Sequence, residues 1–129
     1  MDTDICSYVM KRSSDAVLQR LGAVAVEDVC MSVVTKAELM YGVRISPRPV
    51  QDTKALGGLL VYVNVLDLLE DAAGHYADIR GDLKRRGTMI GANDLLIAAH
   101  ARSLELTLVT NNTAEFVRVT GLELENWAA

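Results

Sequence analysis

Asp2, Glu38 and Asp94 are the residues of this chain best suited to carry chemistry, although they lie far apart in the sequence. Each falls where a strand hands over to a helix or where a helix begins. Asp2 and Asp4 stand at the close of a first strand that Met1 and Asp2 are expected to end. Glu38 lies in the first turn expected after the run VCMSVV, and Asp94 opens a late helix after TMIGAN. Thr110, Asn111 and Asn112 follow the buried run TLVT. In parallel α/β sheets the ligand site lies beyond the carboxyl ends of the strands, so these groups converge on one edge. Gathered carboxylates repel, and a divalent cation removes that cost. All-oxygen ligands suit Mg²⁺ or Mn²⁺ rather than zinc.

Each residue also has a plainer use. Thr35-Lys36-Ala37-Glu38 fits a capping box, with Glu38 bonding back to the first amide of its helix. Asp94 complements a helix N-terminus, Asp4 fits an N-cap of the first helix, and Asn112 fits a turn. His75 and His100 stand alone within helices and read as packing or surface residues. What the plainer uses leave unexplained is the shared edge.

The elements that place these groups follow from pattern. Short β-rich runs at Val29–Val34, Val63–Asp67, Thr107–Thr110 and Leu122–Trp127 alternate with helical stretches. Helices are expected at Ile5–Met10, Ala16–Leu21, Thr35–Ile45, Val50–Val61, Glu70–Arg86 and Asn93 or Asp94 to Leu104, with a helical turn at Thr113–Val117. Gly57 and Gly58 weaken the fourth of these. Lys84, Arg85, Arg86 and Gly87 make a sound C-terminus for the fifth. The alternation predicts an α/β fold with a mostly parallel sheet of about five strands covered on both faces.

The chain has 129 residues, a formal net charge of −4, 50% hydrophobic residues and 5% aromatics. That suits one domain over 1–129 with an aliphatic core, and excludes a disordered chain or a generic basic coat for nucleic acid. No run is apolar and long enough to span a membrane. Cys6 and Cys30 lack zinc or disulfide-scaffold spacing and fit a reducing, cytoplasmic setting.

The segments MDTDICSY, SVVTKAELMYGV, IRGDLKRRGTMIGANDLLIAAHARS and LTLVTNNTAEFVRVTGLELENW together resemble the PIN-domain toxins of the VapC family. The resemblance is strongest from Ile79 to Trp127 and weakest from Ile45 to Leu69. It implies a three-layer α/β/α PIN-like fold and a Mg²⁺- or Mn²⁺-dependent endoribonuclease, the toxin half of a bacterial toxin–antitoxin pair. Such proteins are usually homodimeric and are inhibited by a cognate VapB-type antitoxin. The family's catalytic, metal-holding acids fall on Asp2, Glu38 and Asp94. The fourth polar position, aspartate in many members, falls near Asn112 after Thr110, with Glu115 three residues on; Asp4, Thr110, Asn112 and Glu115 are the supporting candidates. The VTNNT subgroup resembles toxins that cut tRNA, initiator tRNA above all, by metal-activated water, leaving a 3′-hydroxyl and a 5′-phosphate.

A net-acidic nuclease needs local cations. Arg80, Lys84, Arg85 and Arg86 are candidates for RNA-phosphate contact, against the plainer reading of a solvated face with an Asp82–Arg86 pair. Apolar faces around Met40, Tyr41 and Val43 and from Leu59 to Tyr62 serve either the core or an antitoxin tail. Two other functions are compatible with parts of the pattern: a non-catalytic PIN-like binding module, suggested by Asn112, and a receiver-like phosphoacceptor domain with Asp67 as acceptor and Thr110 as switch hydroxyl.

Overall fold

The computed structural model describes all residues, Met1–Ala129. Helix α1 (Thr3–Lys11) begins directly after Asp2, whose side chain accepts a hydrogen bond from the Ile5 amide and so caps the helix. The expected cap, Asp4, sits instead in the first turn. Ser14 caps α2 (Asp15–Gly22) through the Val17 amide. A 3₁₀ turn (Val26–Asp28) then leads into β1 (Cys30–Ser32).

This strand is shorter than its β-branched run suggests. Helix α3 (Val33–Arg44) starts two residues before Thr35, because the Ser32 hydroxyl accepts from the Val34 amide and caps it there. The capping box therefore does not form, and Glu38 lies in the second helical turn rather than the first. Helix α4 (Pro49–Tyr62) runs its full length through Gly57 and Gly58. Pro49 pre-sets its first turn, and the burial of Leu56 and Leu59 offsets the glycine cost of about 1 kcal/mol each.

After β2 (Asn64–Leu66), α5 (Ala72–Arg86) ends at Gly87 with φ 67°, a left-handed cap that glycine adopts without penalty. Gly91 is the N-cap of α6 (Ala92–Ser103), which leaves Asp94 inside the first turn with its carboxylate free of capping duty. The chain closes with β3 (Leu108–Val109), α7 (Thr113–Phe116) and β4 (Leu124–Glu125).

Four strands form, rather than about five, as two parallel pairs, β1 with β2 and β3 with β4. The expected first strand is reduced to Met1 and Asp2. This stub joins the pairs: the Met1 amino group donates to the Cys30 carbonyl at 2.8 Å and the Asp2 amide to the Val109 carbonyl at 2.9 Å. Strand alternation then divides the interior into two layers of core. Met31, Val63 and Val109 pack with Ile5, Val17, Leu39 and Leu59 on one side. On the other, Leu108 joins Ile79, Leu83, Leu95, Ile97 and Phe116. Both cysteines are free; burial pushes the Cys6 thiol up to about 12, so it behaves as a small hydrophobe. No helix is long and apolar enough to cross a membrane.

Candidate active site

Asp2 is the anchor. It is 4% exposed, and both carboxylate oxygens have work. Oδ1 accepts from the Ile5 amide at 3.0 Å, and Oδ2 accepts from the Thr110 hydroxyl at 2.6 Å. Thr110 itself is fully buried and accepts the Asn112 amide at 2.9 Å. One hydroxyl thus ties the end of β3 to the start of α1. Burial raises the Asp2 carboxyl above its ordinary value, with the Thr110 and Ile5 hydrogen bonds opposing the shift and the neighbouring Asp4 charge adding to it.

Glu38 reaches the same edge from α3. Its Oε1 accepts the Thr3 hydroxyl at 2.6 Å. Freed from capping, the glutamate is oriented by the residue that follows Asp2. The dipeptide Asp2-Thr3 therefore places two acids at once, one directly and one through a hydroxyl. Thr3 is a positioning group that the sequence reading missed; an aspartate–threonine pair at a strand-to-helix turn was the signal available.

Asp94 comes from α6, and Glu115 meets it from α7. Gly91 lies between them: a Cβ added there would stand 3.5 Å from Asp94 Oδ2 and 3.8 Å from Glu115 Oε1. Glu115 Oε1 accepts the Gly91 amide at 2.9 Å, and its other oxygen accepts the Asn112 side-chain amide. Asn112, the apparent substitution at the fourth position, thus serves to orient Glu115. Burial pushes the Asp94 carboxyl up to about 7, followed by the charge and hydrogen bond of Glu115 and the charges of Glu38 and Asp2. The dipole of α6 acts the other way at this first-turn position and is outweighed. Burial also works to raise Glu115, but the Gly91 and Asn112 donors and the Asp94 bond overcome it and leave Glu115 below its ordinary value.

Asp2, Glu38, Asp94 and Glu115 are therefore brought within electrostatic reach of one another at the edge the sequence indicated. Asp4 lies beside Asp2 and is exposed. No three Asp, Glu, His or Cys side chains close into a tight ligand cage. The donor set nevertheless fits a hard divalent cation. It is all oxygen, and Asp94 holds on to a proton where a cation would relieve the repulsion.

The basic candidates separate. Arg80 donates to the Tyr76 hydroxyl at 2.7 Å, and Arg86 clamps Asp82 at 2.6 Å with Arg85 at 3.9 Å from the same carboxylate. The solvated-face reading holds for these three arginines; Lys84 is exposed and makes no ion pair. The histidines are structural. His100 Nδ1 meets the Ser32 hydroxyl at 2.7 Å, burial lowers its basicity, and His75 accepts from Arg102 at 2.9 Å.

Comparison with known proteins gives the family. The PIN domain family pattern matches residues 1–122. The chain is 41% identical to ribonuclease VapC2 of Haemophilus influenzae over 127 residues, covering 98% of this chain and 96% of the relative. It is 40% identical to the tRNA(fMet)-specific endonuclease VapC of Shigella flexneri over 128 residues, covering 99% and 96%. The crystal structure of VapBC2 from Rickettsia felis bound to a promoter DNA fragment superposes with a TM-score of 0.91 at 36% identity, covering 98% of this chain and 96% of that one. A fold matched over nearly its whole length, with four carboxylates drawn from α1, α3, α6 and α7 to one sheet edge, leads to one assignment: the chain belongs to the VapC family of PIN-domain toxins.

Proposed function

We propose that residues 1–129 form one catalytic unit, a metal-dependent endoribonuclease that hydrolyses RNA phosphodiester bonds. The observation that carries this reading is the convergence of four acids on one sheet edge: Asp2 fixed by Thr110, Glu38 by Thr3, and Asp94 and Glu115 facing each other across Gly91. Asp2, Glu38 and Asp94 would hold Mg²⁺ or Mn²⁺, with Glu115 beside them. When bound, such an ion lowers the pKa of water and stabilises charge on phosphate. The chain's own residues do the positioning. Thr110 fixes Asp2, Thr3 fixes Glu38, and the Gly91 amide with Asn112 fixes Glu115. Burial at this edge would strengthen the attraction between the carboxylates and a bound cation, which in turn draws an incoming phosphate.

The substrate we infer is tRNA, with initiator tRNA first among candidates, on the strength of the Shigella flexneri relative's name. The partner we infer is a VapB-type antitoxin, as in the VapBC complexes that share the fold. Met40, Tyr41, Val61 and Tyr62 stay exposed, Tyr41 at 66% and Val61 at 91%, while Leu59 is buried and Val43 and Leu60 pack on the core. That splits the two apolar faces between core and partner. A homodimer completes the proposal. The receiver-like alternative falls with the fold. A non-catalytic module is the contrary outcome of the test, and Asn112, its motive, now has a role of its own.

The test is incubation of purified protein with total tRNA and Mg²⁺ or Mn²⁺, with and without EDTA, followed by mapping of the ends. Discrete cuts bearing 5′-phosphates, lost in EDTA, are expected. Cleavage that persists in EDTA, or metal-independent binding with no cleavage, would overturn the proposal.

A further inference from the structure

Arg118 was not among the basic residues that the sequence singled out, yet its positive charge is felt at Glu115, one of the four clustered carboxylates. It lies three residues after Glu115, just past the end of α7. Both side chains reach the same loop. Glu115 accepts from the Gly91 amide at 2.9 Å, and Arg118 Nη1 donates to the Met89 carbonyl at 3.2 Å. Arg86 fixes the other end of the residue by donating to the Arg118 carbonyl while clamping Asp82. Arg118 is thus held from both sides, but only one of its side-chain donors is occupied. It joins none of the ion pairs, which are Arg20–Glu125, Arg85–Asp82, Arg86–Asp82 and Arg102–Asp78. It remains half-exposed at the rim. Its charge is felt at Glu115, although the two do not pair.

A guanidinium with free donors, fixed backbone and an acidic neighbour it does not neutralise is suited to a bidentate contact with phosphate. On the ribonuclease reading given above, we propose that Arg118 binds an RNA phosphate next to the scissile one, steering the strand across the carboxylate edge, and that Arg86 is the brace that holds it there. Arg80, Arg85 and Arg86 are already engaged with Tyr76 and Asp82. Arg118 therefore contributes where those residues do not. The competing account is that Arg118 only pins the Met89–Gly91 loop.

The two accounts separate by salt. Wild type, Arg118→Gln, Arg118→Lys and the control Lys54→Gln on α4 are compared in three measurements. These are cleavage of fluorescently end-labelled initiator tRNA with Mn²⁺ across a KCl series, binding of the same tRNA in EDTA, and thermal melting in EDTA. Loss of one phosphate contact makes the slope of log affinity against log salt shallower by about 0.7–0.9. We expect that change in Arg118→Gln, with KM raised about tenfold and kcat changed far less, while Arg118→Lys keeps most of the slope and Lys54→Gln matches wild type. An Arg118→Gln variant that melts lower but keeps the wild-type slope and KM would overturn the proposal in favour of loop pinning. A wild type that fails to cut RNA with Mn²⁺ would overturn the ribonuclease reading itself, and with it this inference. Wild-type cutting with an unchanged Arg118→Gln slope would overturn the inference alone.

Discussion

At the scale of single residues, the site is a set of acids and the hydroxyls and amides that aim them. Asp94→Asn keeps size and removes one charge from a group already held near 7 by burial and its neighbours. RNA cleavage should fall by orders of magnitude. The melting temperature in EDTA should hold or rise, because repulsion with Glu115, Glu38 and Asp2 is relieved. A stable variant with wild-type cleavage at limiting metal would remove Asp94 from the site. Thr3→Val makes the complementary test of aim. It leaves every acid in place but removes the 2.6 Å bond to Glu38. Losing such an orienting partner costs about 10–100-fold in metal affinity or activity. Titration of activity against Mn²⁺ should show the demand for metal shifted upward by that order, with Thr3→Ser close to wild type. If Thr3→Val and wild type share one metal titration curve, Glu38 needs no orienting hydroxyl.

At the scale of elements, the same substitution should act with opposite sign at two glycines. Gly57 lies inside α4 and Gly87 ends α5; a Cβ at either meets no atom within 4 Å, so packing is silent and the backbone decides. Gly57→Ala should stabilise by about 0.5–1 kcal/mol. Gly87→Ala, forced to keep φ 67°, should destabilise by about 1 kcal/mol. Urea unfolding of both variants checks the pair, and two shifts of the same sign would contradict it. Gly87 was legible as a stop because cations and a glycine follow the apolar pattern of α5. The start of α3 was not, since the valines of VCMSVV extend the strand pattern to Val34 and a single Ser32 hydroxyl, accepting from the Val34 amide, ends it early. That shift also moved Glu38 out of its apparent capping box. Met1 and Asp2 were readable as strand but form only two hydrogen-bonded links between strand pairs. The convergence of Asp2, Glu38 and Asp94 was readable from topology. The hydroxyl from Thr3 and the reach of Arg118 to Met89 depend on packing across the fold, which no local pattern encodes.

At the scale of the whole molecule, a chain of net charge −4 places four acids at one sheet edge, so binding of a divalent cation there should be coupled to folding. The sign follows from Asp94. Its folded-state value, about 7, lies above the ordinary carboxyl value of 3.8, so the folded chain retains a proton that the unfolded chain gives up. That contribution to stability is complete below the ordinary carboxylate range and is lost as pH rises through about 7. Asp2, also raised, acts in the same sense, whereas Glu115 is lowered and its contribution is lost only as pH falls through the acidic range. Metal-free protein should therefore melt at progressively lower temperature between about pH 5 and about pH 8. A cation that replaces the proton reverses this loss. Mn²⁺ should raise the melting temperature more at about pH 8 than at about pH 5, and the total stabilisation at the higher pH should be about 2.7 kcal/mol once the ion exceeds its Kd there a hundredfold. Ca²⁺, which prefers more ligands and looser geometry, should support cleavage poorly even where it stabilises. In Asp94→Asn the pH dependence between those limits should flatten, because the group that exchanges its proton for the ion is gone. Thermal melts of wild type and variant at both pH values, with EDTA and with excess Mn²⁺, measure every part of this cycle. Equal Mn²⁺ stabilisation at the two pH values would mean that no Asp94 proton is released on binding, and the ion would then have to sit away from the α6 carboxylate.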